Sequence, residues 1–213
     1  MGKQEALIIA CGALGREIVT LLRNYPDLSI SVTCLPPSLH NQPKLIPEKI
    51  QEAIRSARPR FDHIFVAYAD CGTAGGLDVV LREEGVERLP GAHCYEVFGG
   101  TRLFEIDKTS EMGAFFLTDF LARHFDRLVY RGLGLDRYPD LIDTYFGRYT
   151  KVLYLSQTRN ENLFEKAQEA ALRLRLEFEH THTGYAGLAE AIRQQTRNVV
   201  GTKTGQAELQ MGT

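Results

Sequence analysis

The chain is 213 residues long and 44% hydrophobic, with 25 Lys and Arg against 27 Asp and Glu for a net charge of −2. That length and apolar content allow a proper core, in one domain or two intimately packed lobes. Balanced charge with no block of one sign excludes the electrostatic footprint of a nucleic-acid binder.

The first apolar run, ALIIAC (6–11), is too short for a membrane span, and Glu5 stands where a secretory leader is basic. The expected setting is cytoplasmic, with no membrane partner. Thiols stay reduced there, so Cys11, Cys34, Cys71 and Cys94 read as free thiols or metal ligands rather than disulfides. ALIIAC is β-leaning and is followed by ALGREIVTLLRNY, whose Leu14, Ile18, Leu21 and Leu22 share a helical face. The pattern recurs as SISVTC (29–34) then PEKIQEAIRSA, DHIFVAYADC (62–71) then GGLDVVLREE, and ERLPGAHCYEVF (87–98) then SEMGAFFLTDFLARHF. It resumes as KVLYLSQ (151–157) with NENLFEKAQEAALRL, and LEFEHTH (176–182) with GYAGLAEAIRQQ. Strands alternating with helices predict an α/β fold, a three-layer Rossmann-like arrangement of a mostly parallel sheet with helices on both faces. Residues 1–198 read as a single α/β domain. The stretch from Tyr130 to Tyr149 breaks the rhythm and marks a candidate lobe boundary within 126–150; residues 199–213 carry no apolar period and read as a flexible tail.

Each cysteine falls at or near the C-terminal end of a predicted strand, the edge where open parallel sheets bind ligands. In ACGALGRE and DCGTAGG a glycine follows the thiol directly and in HCYEVFGG several residues on, whereas Cys34 is followed by LPPSLH. Glycine lets the backbone turn sharply and lets a ligand approach. Cys11, Cys71 and Cys94 converging from separate strand ends make a soft-metal site. Zinc accepts three sulfurs plus a His, carboxylate or water; an iron–sulfur cluster accepts three thiolates and leaves one iron open. The chain has no C-x-x-C pair, and buried small apolar thiols are the alternative reading.

The glycines raise the question of a phosphate cradle. GTAGGLDVV lacks the Lys and Ser/Thr of a P-loop, and CGALGRE lacks the G-x-G-x-x-G order. Backbone N–H groups after Gly12 and Gly75 still offer an anion site, and Gly72 and Gly75 offer room beside Cys71, so Gly12, Gly72 and Gly75 are the candidate cofactor-binding positions.

The signatures ACGAL, LHNQP, YADCGTAGGLD, GAHCYEVFGG, GAFFLTDFL, YFGRY and YLSQT, spread from about Leu7 to about Phe178, resemble the DUF1638 family of bacterial and archaeal proteins. The resemblance implies that the family's recurring cysteines fall on Cys11, Cys71 and Cys94, and that its genes often sit beside corrinoid-dependent methyltransferase systems. Cys34 matches none of these motifs.

Two residues stand as acid/base or further-ligand candidates. Glu96 shares a strand face with Cys94 if the strand runs through 87–98; a salt-bridged carboxylate at a sheet edge explains it equally. His40, in SLHNQP, reaches the same sheet edge from a loop, and a plain turn residue is its other reading. Thr118 and Asp119 place polar groups in an apolar helix, the mark of a hydrogen-bonded internal site. His180 and His182, in HTHTG, share one strand face with the spacing of a two-His metal pair; exposed histidines near a turn are the commoner reading. The functional expectation is a metal-binding α/β protein with zinc held by three thiolates, acting in corrinoid or one-carbon methyl transfer. Its partners would be a small-molecule ligand or methyl donor and a corrinoid protein or methyltransferase. The alternatives are a non-catalytic metal- or corrinoid-handling accessory protein and an iron–sulfur enzyme with an open iron.

Overall fold

The computed structural model describes residues 4–98 and 113–197; the expected tail over 199–213 and residues 110–112 of SEMGAFFLTDFLARHF lie outside them. The chain divides into two compact units, Met1–Cys94 with Gly187–Thr213, and Tyr95–Ala186. The divisions fall after Cys94 and inside the first turn of a helix over 186–197, while 126–150 lies within the second unit.

In the first unit four parallel strands lie in the order β2-β1-β3-β4: β1 (Gln4–Cys11), β2 (Ile30–Leu35), β3 (Phe61–Ala67) and β4 (Glu87–Arg88). β1 is central and its side chains from Ala6 to Cys11 are all buried, which is why it reads as one continuous apolar run rather than an alternation. Leu7, Ile9 and Cys11 point to the face covered by α2 (Ile46–Ala57) and α3 (Gly76–Glu84), where they pack with Ile46, Ile50, Ile54, Leu77 and Leu81. Apolar residues four apart in α2 give it that single buried stripe, and Arg55 Nε donates to Glu84 Oε1 at 2.7 Å to tie α2 to α3. The opposite face carries α1 (Gly15–Leu22), whose Gly15 lies so close to Cys34 that a Cβ there would meet its Sγ at 2.5 Å.

Two strands end sooner than their apolar runs suggest. β3 stops at Ala67, so Cys71 stands in a loop. The run over 87–98 is a strand only at Glu87–Arg88, because Pro90 has no N–H for a ladder. Arg88 instead donates to the carbonyls of Leu89 (2.7 Å) and Gly91 (3.2 Å) and pairs with Asp78 at 2.6 Å, shaping the loop that ends in Cys94.

The second unit is a three-stranded parallel sheet in the order β5-β6-β7: β5 (Ala114–Thr118), β6 (Lys151–Ser156) and β7 (Glu177–His182). Helices α4 (Asp119–Phe125), α5 (Leu141–Phe146) and α6 (Glu161–Leu174) accompany it. Val152 and Tyr154 face Ala167, Ala170 and Leu174 of α6, while Leu153 and Leu155 pack with Ala114 on the other side. AFFLT, expected inside a helix, is strand β5. Periodicity does not separate a five-residue apolar strand from a helical segment, and the paired phenylalanines favour the strand. The fold is α/β with parallel sheets and helices around them, as the alternation predicts.

Candidate metal centre

The loop after β3 is built around Asp70. Its carboxylate accepts hydrogen bonds from Thr73 Oγ1 (2.7 Å), the Gly75 N–H (2.8 Å) and the Ala74 N–H (3.1 Å). Burial works against the charge, but these hydrogen bonds and the nearby Arg88 cation hold the Asp70 carboxyl below its ordinary range. The anion position in this glycine-rich turn is thus filled by the protein's own carboxylate. Gly72 and Gly75 both have φ +82°, and Cys71 and Ala74 also sit in the left-handed region at 52° and 53°. Glycine takes that conformation freely; a cysteine held there stores strain that the surrounding hydrogen bonds must offset.

Those bonds bring two loops together. The Cys71 N–H donates to Ala92 O at 2.7 Å and the Asp70 N–H to Gly91 O at 3.2 Å, and the Cys71 and Cys94 sulfurs come to 2.9 Å. His40 arrives from a short 3-10 turn, Pro37–Asn41, after β2. Gly12 makes that approach feasible: its N–H donates to Leu35 O at 2.9 Å, and a Cβ there would meet Pro37 Cδ at 3.0 Å. His40, Cys71 and Cys94 each offer a ligand atom, all within 4.8 Å of one another. Cys11 stands beside them at the end of β1, its sulfur 4.0 Å from His40 Nδ1 and accepting from the Ala13 N–H at 3.4 Å. His40 Nδ1 also lies 3.1 Å from Pro37 O. Donation there leaves Nε2 as the ring's other functional atom.

The electrostatics are those of a thiolate, a thiol and an imidazolium. Its hydrogen bond with Cys94, followed by contact with His40, outweighs burial and brings the Cys71 thiol down to about 5. Cys94 is pushed up, first by its hydrogen bond to the Cys71 thiolate and then by burial. The pair therefore shares one proton. Burial would lower His40, yet hydrogen bonds to the Cys11 and Cys71 sulfurs and their negative charge raise it to about 10. The proton on His40 supplies the positive charge that a cation would bring to the same donors.

Two sulfurs and an imidazole, with a third thiol adjacent, suit zinc or another soft divalent ion. One further observation fits a guest at this site. The Tyr68 ring stacks on His40 (centroids 6.1 Å apart, 11° between planes) and is fully buried, and its hydroxyl has no hydrogen-bond partner among the described residues. Burial, then the neighbouring Cys11, raise its pKa, so it stays a donor. An orphaned buried donor beside thiols is a cost that a bound ligand atom would relieve.

A family model described as "Protein of unknown function (DUF1638)" matches residues 34–192. The chain belongs to the DUF1638 family. The matched stretch holds His40, Cys71 and Cys94, while Cys11 precedes it. No curated protein matches the DUF1638 chain in sequence. Among solved structures it is similar to the crystal structure of a sugar transporter from Clostridium phytofermentans, at 12% identity over 92% of this chain and 93% of that one, with a TM-score of 0.36.

The remaining candidates of the DUF1638 chain go elsewhere. Cys34 pairs in register with Ala10, next to the Cys11–Leu35 pair, so its side chain leaves from the sheet face opposite Cys11 and meets α1. Burial, then the Cys11 charge, raise its pKa. Glu96 belongs to the second unit, on a helical turn over 96–98 rather than a strand, and is outside the His40, Cys71 and Cys94 group. Asp119 is an internal hydrogen-bond node: its carboxylate accepts from Tyr154 Oη (2.7 Å), Thr158 Oγ1 (2.5 Å) and the N–H groups of Gln157 (3.1 Å) and Thr158 (2.9 Å). Thr118 caps α4 by accepting from the Leu121 N–H at 3.3 Å. Sequence reasoning missed Tyr68 as a site residue, although it opens the YADCGTAGGLD signature. It also missed Asp70, although an Asp before a glycine turn with Thr three residues on is a recognisable side-chain-to-backbone capping pattern.

Proposed function

We propose that the protein binds zinc through His40, Cys71 and Cys94, with Cys11 as the adjacent thiol, and uses the site on a thiol-bearing methyl acceptor in corrinoid-linked one-carbon metabolism. The observation that carries the metal reading is that three ligand atoms from three separate loops lie within 4.8 Å of one another. Zinc, when bound, holds sulfur deprotonated at neutral pH and so keeps it nucleophilic. The chain's own contribution is positional. The Asp70-braced loop fixes Cys71, the Arg88-shaped loop fixes Cys94, and the Gly12 approach fixes the His40 turn. Tyr68 adds a buried hydroxyl beside His40. The methyl-transfer assignment rests on the family resemblance, and a corrinoid protein or methyltransferase is the partner it implies.

The test is anaerobic purification with elemental analysis and an absorption spectrum. One equivalent of zinc and no visible band supports the reading. A brown protein with iron and sulfide would replace it with an iron–sulfur centre. A metal-loaded protein that does not demethylate methylcobalamin in the presence of simple thiols would reduce it to a metal-carrying accessory role.

The 2.9 Å separation of the Cys71 and Cys94 sulfurs favours a second reading. Two sulfurs on one tetrahedral zinc stand roughly 3.7 Å apart, given Zn–S bonds near 2.3 Å, so the pair is closer than zinc requires. In this reading a peroxide oxidises the Cys71 thiolate to a sulfenic acid, releasing hydroxide. The Cys94 thiol then condenses with it to a disulfide, releasing water. Counting free thiols before and after one equivalent of hydrogen peroxide separates the two: loss of two thiols from metal-free protein supports the redox pair, and loss of none excludes it.

A further inference from the structure

The second unit carries a separate cluster at the C-terminal edge of its sheet, where parallel sheets place ligands. His180 and His182 lie two residues apart on β7 and so share a face, and the register sets His182 beside Ser156 and His180 beside Tyr154 of β6. Ser156 Oγ is 2.9 Å from His180 Nε2 and 2.9 Å from His182 Nδ1. Two ring nitrogens thus converge on one oxygen and stand no more than twice that distance apart. A hydroxyl has a single proton, so it can donate to only one of the rings and must accept from the other.

The His180 ring is held by aromatic neighbours. The His180 ring sits 5.3 Å from the Tyr154 ring and edge-on to Phe164 at 5.1 Å. Tyr154 Oη is engaged by Asp119, so it acts as a fixed wall. Ser156 is buried, while both histidines are exposed on a cleft of about 490 Å³ that Arg159 and Glu161 also line, one charge of each sign. Two imidazole nitrogens converging on one hydroxyl oxygen are a donor set for a borderline divalent cation.

We propose that His180 Nε2 and His182 Nδ1 form a second metal site, free of thiolates, that takes a divalent ion of the zinc, cobalt, nickel or copper class, with Ser156 Oγ as the adjoining oxygen. It is independent of the thiolate centre in the first unit.

Cobalt(II) titration of the full-length, metal-free protein tests it, because thiolate ligation gives an intense sulfur-to-cobalt band that imidazole and oxygen ligands do not. Two equivalents are expected to bind, and the double variant His180→Gln/His182→Gln is expected to lose one while keeping the sulfur band. If the thiolate centre itself fails to bind, the wild type takes one equivalent without that band and the double variant none. A folded double variant that binds as much cobalt as the wild type would overturn the proposal. Should the double variant not fold, imidazole nitrogen NMR of the wild type during zinc titration decides the matter. Shifts at His180 and His182 support the site, and unmoved signals at saturating zinc reject it.

Discussion

The Asp70 carboxylate accepts from the N–H of Gly75, five residues ahead, at 2.8 Å, and in doing so takes the place of an anion in its own glycine-rich turn. Replacing it by Ala leaves that N–H, the Ala74 N–H and the Thr73 hydroxyl without their acceptor. Asp70→Ala should lower stability by about 1–3 kcal/mol, read as a shift in the denaturant midpoint. Since the folded pKa of Asp70 lies below its unfolded value of about 3.9, its contribution is complete above that value and fades as pH falls through the folded pKa. The variant and the wild type should therefore converge in stability in acid and differ at neutral pH; a gap that stays constant down to the acid limit would show that the carboxylate charge is not what braces the loop.

Thiol chemistry offers a second check. In metal-free protein, alkylation of Cys71 by iodoacetamide should follow an ionisation near 5, the value to which Cys94 and His40 bring it. Cys94→Ser and His40→Ala should each move that midpoint upward, the Cys94 change further because its hydrogen bond is the larger influence. Peptide mapping of the alkylated product against pH measures this. An unmoved midpoint in both variants would remove the proposed thiolate, thiol and imidazolium arrangement.

Metal stoichiometry separates the four cysteines. Cys71→Ser and Cys94→Ser should each abolish stoichiometric zinc binding in the first unit, because a hydroxyl is a poor substitute for a thiolate on a soft site. Cys11→Ser should weaken binding, since its sulfur stands beside His40. Cys34→Ser should leave zinc in place, its side chain leaving from the other face of the sheet. Zinc retained by Cys71→Ser but lost in Cys34→Ser would reverse the ligand assignment.

How far the sequence reached can be judged from individual residues. The β-α alternation was readable because buried parallel strands and amphipathic helices leave periodic signals, as in ALIIAC and in Ile46, Ile50 and Ile54. AFFLT escaped because five apolar residues hold no period long enough to decide. Cys71 and Cys94 stood out by their neighbouring glycines, and both fall in the His40, Cys71 and Cys94 group. His40 could equally be read as a turn residue, since what brings it to the thiols is the close packing of Pro37 on Gly12. That contact joins residues 25 apart and leaves no local trace. Asp119 was legible as a polar residue in an apolar run; its partners Tyr154, Gln157 and Thr158 were not, because they come from the neighbouring strand and the loop after it.

The contact between Gly15 and Cys34 makes a prediction about packing rather than chemistry. A Cβ on Gly15 would stand 2.5 Å from Cys34 Sγ, well inside contact distance, so Gly15→Ala forces the exposed Cys34 side chain to turn away and should destabilise by about 1 kcal/mol. Cys34→Ala removes the sulfur and should recover most of that loss when the two changes are combined. A double-mutant cycle by urea denaturation reads the coupling. Additive effects would mean that α1 shifts freely and that Cys34 has no packing role.

Tyr68 supplies the test in which the two states of the site disagree. Its hydroxyl is fully buried without a partner among the described residues, and such a group costs about 1–3 kcal/mol relative to a carbon surface. Tyr68→Phe should therefore raise the melting temperature of the metal-free protein. If the hydroxyl serves to donate to an atom held by the metal, the same change removes a favourable contact from the loaded state. Zinc should then raise the melting temperature of the variant by less than it raises that of the wild type, since ligand-linked stabilisation follows affinity. Differential scanning calorimetry of both proteins, with and without zinc, gives the four values needed. An equal rise from zinc in both proteins would show that the phenol has no part in holding the ion or its ligand. A variant less stable than wild type without metal would show that the hydroxyl already has a partner within the fold, the Cys11 sulfur being the neighbour that could provide it.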